Sequence, residues 1–191
     1  MNTIASFSSV HLEESQPEAH VCTVVGIGLR AQAQPGALQA LWQQAQGLLP
    51  RTMPLNATGP AICAIAVLDS KAQHPALMAW LATLSHAFDT SDTSGASTRA
   101  QLMPVSADHM AGQPVATQSA RLQARYGTGS VAEAAALCAA GSHATLAVPR
   151  LVAADGSATL AVAIRRAGHP GVCLAAEGRR LAAAPFKGTT A

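Results

Sequence analysis

With 191 residues, 49% of them hydrophobic, the chain is long enough to bury a substantial core and reads as one domain with loose ends. The formal charge is +2, aromatic residues are 3% of the chain and no dense basic run occurs, which leaves few stacking platforms and argues against nucleic acid as a partner. No apolar run is long enough to span a bilayer, and residues 1–20 lack a basic start followed by an apolar stretch, so a cytoplasmic protein with no membrane partner is expected.

In chain order, residues 1–20 are polar and Ser/Glu-rich, and they are expected to be mobile. Val21 to Leu29 is β-branched and apolar and holds Gly26-Ile27-Gly28, the pattern of a buried strand entering a tight turn. Pro35 suits a first helical position, and Leu38, Leu41, Trp42, Ala45, Leu48 and Leu49 trace one helical face behind it. Pro50, Pro54 and Gly59-Pro60 then break the chain before a second apolar strand, Ala61 to Leu68, which closes a βαβ unit. Asp69 and Lys71 follow directly, at the strand end where open α/β sheets gather functional groups.

Gly26, Gly28 and Ala31 formally match the G-x-G-x-x-G/A dinucleotide fingerprint. That motif needs a helix opening inside it and an acid roughly 20 residues on. Pro35 places the helix late, and no Asp or Glu lies between Arg30 and Asp69, so the dinucleotide reading is the weaker one. Arg30, just past the turn, could pair with a carboxylate or phosphate, or simply be a solvated arginine at the sheet edge.

Pro75 to Phe88 predicts a helix with Leu77, Trp80, Leu81, Leu84 and Phe88 as its buried stripe. Thr90 to Thr98 reads as a surface loop, Leu102 to Val105 as a short strand, Asp108 to Thr117 as irregular, and Ser119 to Tyr126 as a short helix. Arg121 and Arg125 stand four residues apart on that helix and share a face, solvated or aimed at the turn that follows.

Gly127-Thr128-Gly129-Ser130 leads into an alanine-rich helix that Gly141 ends. Ser130 and Glu133 have the spacing of a capping box, with the serine oxygen accepting from the residue 133 N–H and the Glu133 carboxylate reaching back to the Ser130 N–H. Val131, Ala134, Ala135, Leu137 and Cys138 predict one buried face. Either the glycines make only a tight turn, or they let the free N–H groups of the new helix approach an anion. Ala144 to Val152 and Ser157 to Ile164 flank Asp155-Gly156 and predict a hairpin, which makes the sheet mixed.

The four cysteines form no Cys-x-x-Cys pair and the seven histidines no i, i+4 pair, so no protein-built metal site and no cofactor are expected. Residues 1–119 carry 4 basic and 7 acidic side chains, whereas residues 120–191 carry 8 basic and 3 acidic, a bias that suits an anionic ligand in the second half.

Tyr126-Gly-Thr-Gly-Ser-Val-Ala-Glu-Ala-Ala-Ala-Leu137 resembles the signature of the CobE family of cobalamin biosynthesis, which is similar to the C-terminal domain of CbiG. Gly26-Ile27-Gly28-Leu29-Arg30 resembles that family's opening turn, Asp69-Ser70-Lys71 its Asp-x-Lys, and Leu151 to Ala163 its closing hairpin. His74 stands where CbiG-like members commonly carry an acid, and Leu29 and Ala31 make the turn less basic than theirs.

The resemblance implies a CobE-like α/β domain over residues 21–166, between a flexible segment 1–20 and a tail 167–191 whose structure the local pattern does not specify. The expected architecture is three-layer α/β/α, with a mixed, mostly parallel sheet of about five strands and a C-terminal hairpin. It further implies a protein of the aerobic corrin pathway that binds a polycarboxylate precorrin or corrin intermediate, as carrier or accessory to ring processing, alongside other enzymes of the pathway. Gly26, Gly28, Arg30, Asp69, Lys71, Gly127, Thr128, Gly129 and Ser130 would form the ligand-binding rim. The alternative is a hydrolase that opens a lactone or rearranges the ring, for which Asp69, His74 and Glu133 are the available bases.

Overall fold

The structure, a computed structural model, describes residues 21–49, 55–56, 59–60, 62–88 and 100–166. The expectations for residues 1–20, the Thr90 to Thr98 loop, the Phe88 side chain and the 167–191 tail lie outside the described residues.

The chain runs β1 (Val21–Leu29), α1 (Pro35–Leu48), a two-residue ladder β2 (Leu55–Asn56) and β3 (Gly59–Pro60), β4 (Ile62–Leu68), a 3-10 turn Asp69–Lys71, α2 (Pro75–Phe88) and β5 (Gln101–Val105). It continues through α3 (Ala107–Met110), α4 (Ala120–Tyr126), α5 (Val131–Ala140), β6 (Thr145–Val152) and β7 (Ala158–Arg166). The main sheet has five strands in the order β5-β4-β1-β7-β6. β1 pairs in parallel with β4, and β4 with β5, while β7 runs antiparallel to both β1 and β6. The sheet is therefore mixed, with β7 alone reversed.

Alternation along β1 divides the core. Val25 and Ile27 point to the face covered by α1 and α2, packing with Leu38, Trp42, Leu77 and Trp80. Val24 points to the opposite face, where Ala64 and Ala66 of β4 meet the alanines of α5. This is the expected three-layer arrangement, and burying both faces is what lets β4 read as a continuous apolar run. A Cβ on Gly26 would overlap the Ala132 carbonyl oxygen and sit 2.7 Å from the Ala136 nitrogen, so the backbone of α5 lies directly on β1 at this glycine.

Three local expectations are corrected. Leu48 is 56% exposed and departs from the expected buried stripe of α1, because the chain leaves the helix there and Leu49 turns inward instead. The stretch expected to be irregular after Asp108 contains part of the one-turn helix α3, capped by the Ser106 side chain, too short to show a period. α5 is buried on nearly every side, from Ala132 to Leu137 and again at Ala139 and Ala140, because the loop before α4 and helix α3 cover the side away from the sheet, while Val131 and Cys138, expected on the buried face, are only half-buried. Among the described residues, no helix is long and apolar enough to cross a membrane.

Candidate functional site

The parallel strands β1 and β4 end at Leu29 and Leu68, and an open cavity of about 540 Å³ lies beyond these carboxyl ends. Its floor is Ile27 to Gln32 with Leu68. One wall is α4 with Ser119, and the other is the β6–β7 hairpin with Val152 and the stretch from Gly156 to Thr159. Each segment is placed by an identifiable local cause. The Arg30 N–H donates to the Ser157 carbonyl at 2.8 Å, tying the turn after β1 to the hairpin. The hairpin turns at Gly156, whose φ of 65 is left-handed, and Asp155 accepts from the Ser157 N–H and hydroxyl at 3.0 and 2.8 Å.

Among the described residues, five cationic ones line this cavity: Arg30, Lys71, Arg121, Arg125 and Arg150. Among the described residues, no aspartate or glutamate lines it. Leu29, Leu122 and Val131 add apolar surface, and Tyr126 adds a ring over which the Arg125 guanidinium lies 5.1 Å from the centroid. Like charges gathered in a concave site with low-dielectric walls focus a positive potential and favour an anionic occupant. The alternating apolar patches suit a ligand with a greasy body and a charged edge.

Of the nine rim residues expected from sequence, Gly28, Arg30 and Lys71 line the cavity, as do Arg121 and Arg125, the pair noted on α4. The others fall elsewhere. Gly26 is under α5, and Gly127, with φ of 65, caps the C-terminus of α4. A Cβ on Gly129 would stand 2.5 Å from the Thr117 carbonyl oxygen, so that glycine admits the neighbouring loop. Thr128 and Ser130 are 2% and 0% exposed and bond to each other's segment at 3.5 Å.

The three candidate bases lie outside the cavity lining, each with hydrogen bonds of its own. Asp69 is exposed and accepts from the Ser70 N–H at 2.6 Å. His74 accepts from the Ala76 N–H at Nδ1, starting α2, and its Nε2 lies 3.3 Å from the Ala31 carbonyl, a pair of contacts that fits the Nε2–H tautomer. Glu133 is fully buried. The Ser130 oxygen accepts from the Glu133 N–H at 3.5 Å, but the reciprocal half of the expected capping box is not made. Instead the carboxylate accepts from the Thr117 N–H at 2.9 Å, the Thr117 hydroxyl at 2.6 Å and the Arg150 N–H at 2.8 Å. Burial pushes its pKa up, yet the Thr117 hydroxyl and the backbone donors outweigh burial and hold it below the ordinary value.

Arg150 is the functional residue that sequence reasoning missed. Pro149 inside a strand pattern was the available signal, since a proline confines its strand to a sheet edge or a bulge. β6 is indeed the edge strand, and its register shifts between Val148 and Leu151. Arg150 thereby leaves the ladder, giving its N–H to Glu133 and its side chain to the cavity. Among the described residues no group of histidine, cysteine or acidic side chains could hold a metal ion.

A family model described as cobalamin synthesis G C-terminus matches residues 23–163. Among solved structures, CobE, a protein from the cobalamin (vitamin B12) biosynthetic pathway, superposes with a TM-score of 0.55 at 24% identity, covering 76% of this chain and 94% of that one, and so shares the fold. Cobalamin biosynthesis protein chiG from Agrobacterium tumefaciens str. C58 has 29% identity and a TM-score of 0.46, covering 74% of this chain and 96% of that one. No curated protein matches.

Proposed function

The chain belongs to the cobalamin synthesis G C-terminal family and is thereby a protein of cobalamin biosynthesis, and on that premise we propose that its cavity binds a corrin-pathway tetrapyrrole by the ring's peripheral carboxylates. The observation that carries this reading is the set of five cations, with no acid, among the described residues lining one cavity. Tetrapyrrole intermediates of this route bear acetate and propionate arms around an apolar macrocycle. Arginine forks pair with such arms, and Leu29, Leu122, Val131 and Tyr126 offer surface to the ring face. The reading favours binding, as carrier or accessory, over hydrolysis. Asp69, His74 and Glu133 do not line the cavity, and Glu133 already accepts three hydrogen bonds.

An absorbance titration with corrin-type tetrapyrroles tests this directly. Saturable binding is expected for rings with free carboxylates, and much weaker binding for a fully amidated corrinoid. Arg30→Ala should weaken the former about tenfold, the loss of one charge-assisted hydrogen bond at roughly 1.5 kcal/mol. Equal affinity for the acid and amide forms would refute carboxylate recognition. A product of altered mass under turnover would favour the hydrolase.

A further inference from the structure

We propose that Glu133 is the positioning residue of this cavity, its carboxylate holding the α4 wall and the β6 wall at the separation the ligand requires. The inference rests on the carboxylate-binding reading above. Helix α4 fully buries none of its residues, and its contact with the core is Tyr126 at its C-terminal end, so core packing leaves the rest of the helix unanchored. Its location depends on its two ends. The C-terminal end is capped by Gly127, whose carbonyl accepts from the Gly112 N–H at 3.1 Å. The N-terminal end follows Thr117, which is bound by both its N–H and its hydroxyl to Glu133. The same carboxylate takes the Arg150 N–H from the edge strand opposite.

One side chain thus joins the root of the wall carrying Arg121 and Arg125 to the strand carrying Arg150. Glu133 is itself held firmly, since it lies in the first turn of α5, whose backbone is seated on β1 at Gly26. Its negative charge also gains from the positive end of that helix. The chemistry demands a carboxylate. A glutamine could accept from the Thr117 hydroxyl and the Arg150 N–H with its oxygen, but its NH2 would then face the Thr117 N–H, donor against donor.

The test is a set of double-mutant cycles read by the same absorbance titration, with a free-carboxylate corrin as the probe. Glu133→Gln and Thr117→Val are each expected to weaken binding several-fold, up to about tenfold for Glu133→Gln. On an Arg121→Ala/Arg125→Ala background the further loss from Glu133→Gln should shrink clearly, because the α4 wall it positions has lost both its cationic contacts and only Arg150 is left for it to place. On an Arg30→Ala background it should remain at about its full size, since Arg30 is placed by Ser157 instead. In amide hydrogen exchange, Glu133→Gln should deprotect Thr117 and Arg150 together. If Glu133→Gln does not fold, Thr117→Val carries the same cycles. Equal losses on the two backgrounds would overturn the positioning role while leaving the cavity's reading intact. Failure of the unaltered chain to bind any free-carboxylate corrin would overturn both.

Discussion

Glu133 is a buried anion stabilised by N–H and O–H donors, and this makes it a determinant of acid stability. Its folded pKa lies below its ordinary value of 4.5, so the native state favours its ionised form. That contribution is fully present above the unfolded pKa and is lost as pH falls through the lowered folded value. Asp155 acts in the same direction, held low first by the Ser157 N–H and then by its hydroxyl. Denaturant titrations between pH 6 and pH 3 should therefore show falling stability, with a shallower fall in Glu133→Gln; parallel curves would refute the assignment. From sequence, Glu133 was legible as a helix-start residue by its spacing from Ser130, but not by its bonding. Thr117 and Arg150 lie 16 and 17 residues away and reach it only because the chain folds back.

Between elements, the decisive contact is α5 against β1. The alanines of α5 are small enough for its backbone to meet the strand, and Gly26 completes the approach from the other side. Gly26→Ala adds a methyl against the Ala132 carbonyl, a backbone atom that can yield only if the helix moves. Such overpacking costs about 2–3 kcal/mol, and the thermal midpoint should drop by roughly 5–10 °C. An unchanged midpoint by circular dichroism would mean α5 is not seated there. The first glycine turn illustrates how local patterns mislead: Gly26 and Gly28 belong to one motif, yet Gly26 faces a helix while Gly28 lines the cavity. The helices α1 and α2 and the Asp155-Gly156 hairpin were readable because each repeats or turns within its own residues. Helix α3 offered no such period.

Across the whole molecule, a formal charge of only +2 coexists with a cavity lined by five cations. Fold topology, not composition, makes the concentration: most of the floor comes from residues 27–32, whereas the walls come from residues 119–126 and 150–159. Attraction of this kind is screened over about 10 Å at 0.1 M salt. Raising ionic strength from roughly 0.05 to 0.5 M should weaken binding of a free-carboxylate corrin by about tenfold or more, mainly by slowing association. Salt-independent affinity would point to recognition by the apolar ring face alone.

The amino-acid sequence by itself determined the strands of the main sheet and the long helices, the mixed sheet and the family, because apolar period, turn chemistry and a continuous motif are properties of neighbouring residues. It also carried the basic bias of the second half and placed Arg30 and Lys71 after strand ends. Tertiary structure alone decided which cations share a cavity. The seat of α5 over Gly26, the register shift that releases Arg150 at Pro149, and the Glu133 bonds to Thr117 and Arg150 each depend on residues distant in the chain. Side-chain direction is set by register and packing, and neither is encoded in a local window.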